Sequence, residues 1–404
     1  MESIYGTAEI HHLHNPEFEP DAGYPVELAE VLDAQRIAEA QDEISRWDGY
    51  APTPLHSLDT LAQAAGVAGV YYKDEGRRFE PGSFKALGGA YAVQQLLRRE
   101  IGQRRGADVS LEDVRARRYG DIAAGITVAT ATDGNHGRSV AWGASRFGCS
   151  CVIYVHRAVS EGRRAAMEAY GATVVRVDGN YDDSVRRAEA DAQANGWFIV
   201  SDTSYPGYTS LPKYVMAGYT LMIREALSQI PAGHALTHVF LQGGCGGLAA
   251  SVAAYLWQTL GASRPRLVAV EPMQADCLYQ SVRSGRRTDV NITEESLMAG
   301  LSCGEVSALA WTVVRRAVND FVAMNEDLVA PSMRLLARGG RGWPPIVAGE
   351  SGVPGLAVML AAARQPGLRD SLDIGSGSEV LLIGTEGATD PEIYERLVGA
   401  DRRT

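Results

Sequence analysis

The sequence predicts an α/β fold built on parallel sheets, and three observations predict it. Short runs of β-branched and aromatic residues alternate with longer amphipathic stretches, the pattern of strand and crossover helix. A chain of 404 residues is longer than one compact core usually serves, so two domains or one elaborate domain is expected. Its 44 glycines exceed the usual ~7%, which implies many tight turns and places where backbone approaches something closely.

Residues 1–50 read as an irregular opening. Strands are then expected over residues 67–73, 125–130, 151–155, 173–177, 198–202, 238–242, 266–271 and 379–383, where apolar runs are short and bounded by turn residues. Helices are expected over residues 84–99, 137–147, 165–170, 182–194 and 248–256. The polar stretches 102–121 and 338–345 read as solvated connections, and 373–378, rich in Gly and Ser, as a flexible turn before the last strand. No internal repeat is present. In parallel sheets the chemistry gathers in loops beyond the carboxyl ends of strands.

The chain has 38 Lys and Arg against 49 Asp and Glu, a formal charge of −11, which argues against nucleic acid or an anionic membrane as partner. A small molecule is expected instead. No apolar run is long enough to cross a bilayer, and the opening Met1-Glu2-Ser3-Ile4 lacks the pattern of a secretory signal, so a cytoplasmic location is expected. The five cysteines, Cys149, Cys151, Cys245, Cys277 and Cys303, form no CxxC pair, so no metal site is expected. A single bridge between Cys277 and Cys303 is compatible with the sequence.

Three loops carry chemistry. In Pro81-Gly82-Ser83-Phe84-Lys85, a turn follows a strand and opens a helix. A lysine by itself is ordinarily solvated. One at a helix start, partly covered by Phe84, has its neutral amine favoured by the helix dipole and by desolvation, as covalent chemistry on a carbonyl requires.

The second loop, Thr132-Asp133-Gly134-Asn135-His136-Gly137, follows the strand at 125–130. Its glycines allow a sharp turn that offers N–H groups to a carboxylate, and Asn135 supplies a neutral donor and acceptor. Asp133 is out of place beside an anion, which suggests a substrate with an additional ammonium group. An Asx turn with Asp133 and Asn135 capping the helix accounts for the residues equally well.

The third loop, Gly243-Gly244-Cys245-Gly246-Gly247, follows the strand at 238–242. Four glycines bare the backbone amides of a helix start, a bed for phosphate with Cys245 as a small filler. Gly244-x-Gly246-x-x-Ala249 with Glu271 on the next strand also fits a dinucleotide fingerprint. That reading leaves the other two loops without a role.

In this order and spacing, Gly82-Ser83-Phe84-Lys85, Gly134-Asn135-His136-Gly137 and the glycine loop resemble the pyridoxal-phosphate enzymes of the tryptophan synthase β-subunit type, which include serine and threonine dehydratases. The wider match adds Lys73-Asp74-Glu75, Phe84 through Tyr91, Thr132 through Arg138, Asn180-Tyr181-Asp182-Asp183 and Gly384-Thr385-Glu386-Gly387. It covers roughly residues 50–390 and resembles the diaminopropionate ammonia-lyase group.

The resemblance implies a fold type II enzyme: two doubly wound open-sheet domains with the cofactor in the cleft between them. The large cofactor-binding domain would take residues 1–89 and 211–404, and a small mobile substrate-binding domain residues 90–210. Lys85 would hold pyridoxal 5'-phosphate covalently, Asn135 would meet the ring hydroxyl, and Gly243, Gly244, Cys245, Gly246 and Gly247 would surround the phosphate. Thr385 would face the ring nitrogen, a neutral partner that suits elimination. Thr132, Asp133, Gly134 and His136 would line the substrate, and Lys85, Asp133 and Asp202 would carry the catalysis.

The dehydratases usually place a small residue where Asp133 stands, a departure that points to a diamino acid. The implied activity is elimination of ammonia from 2,3-diaminopropionate by a homodimer, with D as well as L isomer accepted. A dehydratase-type lyase, or elimination on a modified diamino acid in natural-product biosynthesis, stays open at this point.

Overall fold

The computed structural model describes residues 3–20, 23–132 and 134–399. The chain divides into two compact units. The first comprises Met1–Ala34, Pro52–Arg78 and Met222–Thr404; the second comprises Gln35–Ala51 and Phe79–Leu221.

Eleven strands are formed among the described residues: β1 Ile10–His14, β2 Leu55–Ser57, β3 Gly69–Asp74, β4 Thr127–Ala131, β5 Ser150–His156, β6 Thr173–Val177, β7 Phe198–Ile199, β8 His238–Gln242, β9 Arg266–Pro272, β10 Asp320–Met324 and β11 Glu379–Gly384. In the first unit seven of them make one sheet in the order β1-β10-β9-β8-β11-β3-β2. The five inner strands run parallel, and β1 and β2 close the two edges antiparallel. Strands β3, β8 and β10 are buried along their whole length, as a parallel sheet covered on both faces requires. The core of this unit packs Val70, Phe240, Val268 and Val322 of the sheet against Leu356 and Leu360 of the helix Pro354–Ala362.

The second unit holds the parallel sheet β6-β5-β4-β7. Ala129 and Tyr154 of that sheet pack against Ala188 of the helix Tyr181–Asn195. Asn180 starts this helix with a capping box closed by Asp183, so these two motif residues serve the helix terminus.

The α/β class and parallel sheets are as expected, and several local expectations are corrected. The opening is not irregular, because Ala34–Ile44 is a helix whose Ile37, Ala40 and Ile44 are buried. The stretch 102–121 is not a plain connection. The helix Lys85–Arg105 runs into it and stops at Gly106, and Ser110 then caps a short helix, Leu111–Arg115, that buries Leu111 and Val114. Within 338–345, Trp343 is buried and pairs with Gly340. Relative to the expected boundaries, residues 35–51, 79–89 and 211–221 lie in the second unit. Trp47 packs there against Phe79, Trp142 and Phe147. The helix Lys85–Arg105 lies so close to the helix Asn135–Phe147 that a Cβ on Gly143 would come within 2.6 Å of Ala90 Cα.

Candidate active site

In the second unit Lys85 is the first residue of its helix, and its amide is 3.3 Å from Ser83 Oγ. The backbone here is fastened from outside the helix. Ser139 Oγ donates to the Lys85 carbonyl at 2.6 Å and accepts from the Ala90 amide at 3.2 Å. The amine of Lys85 forms an ion pair with Asp202 Oδ2, and it stands 5.3 Å from the Phe84 ring centroid and 5.7 Å from that of Tyr219. Helix position and aromatic cover match the expectation, and the fold adds a carboxylate against the amine.

Asp202 is brought here by the segment after β7. Its carboxyl meets opposing influences: burial raises it, and the neighbouring His136 and Lys85 outweigh burial, holding it well below the usual carboxylate range. His136 is buried, with Nε2 2.9 Å from the Val200 carbonyl and Nδ1 3.7 Å from Asp202 Oδ2. Burial is the main influence that pushes its ring below the ordinary histidine range. Local spacing gave His136 no orienting carboxylate; the fold supplies one from 66 positions further along, as the numbers 136 and 202 show.

Thr132 organises the second loop. Its hydroxyl oxygen accepts from the amides of Gly134 and Gly137, each at 3.1 Å, and its own amide donates to the Tyr154 carbonyl at 3.1 Å. Asn135 then begins its helix, with Gly134 as the residue before it. Asp133 lies outside the described residues.

In the first unit, the glycine loop joins β8 to the helix Gly247–Leu260. Gly246 has φ of +90°, and a Cβ there would be 3.1 Å from Ala310 Cβ. A Cβ on Gly243 would overlap Glu271. At Gly243 and Gly246 the loop is thus bare because a side chain does not fit. It is held by the Gly243 amide on the Val270 carbonyl at 2.9 Å and the Ser307 amide on the Cys245 carbonyl at 3.0 Å. The first amides of the helix have no intrahelical acceptor, so the loop suits a phosphate monoester.

Glu271 does not serve a ribose. Its Oε1 accepts from the Leu278 amide at 3.0 Å and its Oε2 from the Tyr279 amide at 2.8 Å, at the start of the helix Cys277–Ser284. Burial pushes its carboxyl up to about 8. The dinucleotide reading thus loses its acid. All five cysteines are free thiols, so Cys277 and Cys303 are not bridged. Thr385, directly after β11, is buried and donates through Oγ1 to the Ser351 carbonyl at 2.9 Å.

Sequence reasoning missed Ser139, Ser351 and Tyr208. Tyr208 Oη accepts from the Ser201 amide at 2.9 Å and donates to the Ile199 carbonyl at 3.1 Å, bracketing the backbone that leads to Asp202. None of the three has a sequence signature, since each lies outside the motifs and takes part in a hydrogen bond between a side chain and a backbone group. Among the described residues no group of His, Cys, Asp and Glu is arranged to hold a metal, and no helix is long and apolar enough to cross a membrane.

Residues 46–383 match the model of the family described as pyridoxal-phosphate dependent enzyme. The chain is 38% identical over 355 residues to diaminopropionate ammonia-lyase of Escherichia coli strain K12, covering 87% of this chain and 88% of the relative. The crystal structure of the holo form of the Escherichia coli diaminopropionate ammonia lyase superposes with a TM-score of 0.88 at 36% identity, covering 98% of each chain. The same enzyme in complex with D-serine superposes with a TM-score of 0.88 at 35% identity, again over 98% of each chain. The fold and these likenesses agree: the chain belongs to the pyridoxal-phosphate-dependent enzymes, in their fold type II branch.

Proposed function

We propose that this protein eliminates ammonia from 2,3-diaminopropionate, leaving pyruvate and a second ammonia after hydrolysis. The observation that carries the reading is the ion pair of Lys85 with Asp202: an anion suited to a second ammonium group stands against the amine of the lysine. Identity to ammonia-lyases acting on this diamino acid supports it.

The residues fit pyridoxal phosphate. The bed at Gly243, Gly244, Cys245, Gly246 and Gly247 offers amides to a dianion, and a Cβ would overlap Glu271 at Gly243 and press on Ala310 at Gly246. Lys85 would hold the cofactor through its amine, Asn135 would meet the ring hydroxyl, and Thr385 would meet the ring nitrogen. When bound, the group supplies a sink for the electron pair left as the Cα proton departs.

Lys85 takes that proton, being the basic group nearest the site of attachment. Asp202 remains an anion throughout and holds the β-ammonium, which leaves as ammonia because it stays protonated. Thr132, Gly134 and His136 line the substrate. Asp133 supplies a second carboxylate, and with it the D isomer is accepted as well as the L. The proposal extends to a homodimer acting in the cytoplasm, which sedimentation and cell fractionation check.

The test is a visible spectrum of the purified protein before and after DL-2,3-diaminopropionate, with pyruvate assayed. A spectral change with pyruvate release is expected in wild type and neither in Lys85→Ala. Normal turnover by Lys85→Ala, or serine turned over in preference to the diamino acid, overturns the reading.

A further inference from the structure

The two ring nitrogens of buried His136 stand in different situations. Nε2 lies 2.9 Å from the Val200 carbonyl, which can only accept, so Nε2 carries the hydrogen. The neutral ring therefore presents a bare lone pair at Nδ1. Nδ1 has no hydrogen-bond partner among the described residues, and facing it at 3.7 Å is Asp202 Oδ2. That same oxygen engages Lys85. A lone pair and a carboxylate oxygen enclosed together repel each other unless a proton lies between them.

The geometry points to His136 as the alternate seat of one proton in a chain Lys85–Asp202–His136, so that Asp202 stays a carboxylate whether or not Lys85 carries a positive charge. With Lys85 as ammonium, the ring is neutral. When Lys85 gives up its charge, an N–H bond of the amine breaks and an Nδ1–H bond forms, and the imidazolium takes over as the cation beside Asp202. No other bond changes, and the three groups sum to zero charge in both arrangements.

Among the described residues, the charged groups acting on the ring are Asp202 and Lys85. Burial is the main influence against protonation of His136, Asp202 opposes it, and the Lys85 charge adds to it. Loss of that charge removes the one cation that opposes protonation of the ring among the described residues. His136 is thus a positioning residue that acts through Asp202. This deepens the proposed elimination and rests on it for its use, since a carboxylate that lost its charge would release the β-ammonium.

The test does not depend on turnover. Histidine ring titrations are followed by nitrogen-15 NMR in the full-length protein with pyridoxal phosphate present, and His136 is identified by the resonance lost in His136→Gln. Lys85→Met is expected to raise the midpoint of His136 by about one pH unit, and Asp202→Asn to lower it. A midpoint unmoved in folded Lys85→Met, or in Lys85→Gln if the first variant does not fold, overturns the inference.

The second measurement is the pH profile of kcat/KM for 2,3-diaminopropionate. His136→Gln can still donate to Val200 but cannot take up a proton. Its acid limb is expected about one pH unit higher, because a carboxylate with one fewer cation protonates earlier; an unmoved limb also overturns the inference. Absence of any elimination in wild type would refute the proposed function and leave the ring titrations decisive.

Discussion

Tyr208 holds Ser201: its hydroxyl accepts the Ser201 amide hydrogen at 2.9 Å, one residue before Asp202, while donating to the Ile199 carbonyl at 3.1 Å. The ring also stacks on Tyr205, with centroids 5.1 Å apart. Tyr208→Phe keeps the stacking and removes both hydrogen bonds. We expect kcat for 2,3-diaminopropionate to fall about tenfold, with a stability loss of ~1–2 kcal/mol from two backbone groups left without partners. Steady-state kinetics and urea unfolding check the two effects; unchanged kcat would show that Asp202 does not depend on this clamp.

Glu271 should make stability fall toward alkaline pH. Its carboxyl is pushed up to about 8 by burial, from an ordinary value of 4.5. A group raised on folding contributes stability that is complete below its unfolded value and is lost as pH rises through the folded one. Thermal midpoints of wild type should decline between about pH 4.5 and 8 from this group, and Glu271→Gln should flatten that decline. Melting curves across the range check it; parallel profiles for the two proteins would contradict it.

Gly246 occupies left-handed backbone at φ +90° with Ala310 and Leu278 against it. In Gly246→Ala, backbone strain of ~1–2 kcal/mol and the displaced neighbours should weaken pyridoxal-phosphate binding by about tenfold or more. Equilibrium dialysis of the cofactor is the measurement.

A buried ionic cluster anchors the end of β3. Glu225 accepts from Lys73 at 2.8 Å and from Arg78 at 2.6 Å, and Arg78 also meets Glu75 at 2.8 Å, with all four side chains almost wholly enclosed. Glu225→Ala leaves two cations short of a partner and should cost ~3–5 kcal/mol. Pairing it with Lys73→Met should cost less than the sum of the single changes, since each single change strands the other charge. Urea unfolding of the three variants decides.

The strands that β-branched runs announce stand where the sequence places them: β8 because a doubly covered parallel strand must be apolar throughout, and β6, half-buried at the edge of its sheet, on the strength of its valines. Strand β1 escapes notice since Ile-His-His-Leu-His is too polar for that rule; it is an edge strand, with His12 and His14 both reaching Asp320 of its neighbour. Strand β10 is hidden by the apolar helix Ala308–Ala317 that runs almost directly into it. In the candidate site, Lys85 and the glycine loop stand out in the sequence because each lies at a helix start that follows a strand. Asp202 is reached only through the resemblance, as nothing local distinguishes it from other strand-end acids; folding brings it to Lys85.

The hydroxyl of Ser139 has a wider effect than its size suggests. It bolts the opening turn of the helix that begins with Lys85 to the flank of the helix that begins with Asn135. The starting points of these two side chains are therefore tied through one hydroxyl. Loss of that one hydroxyl would loosen both helix starts from each other at once.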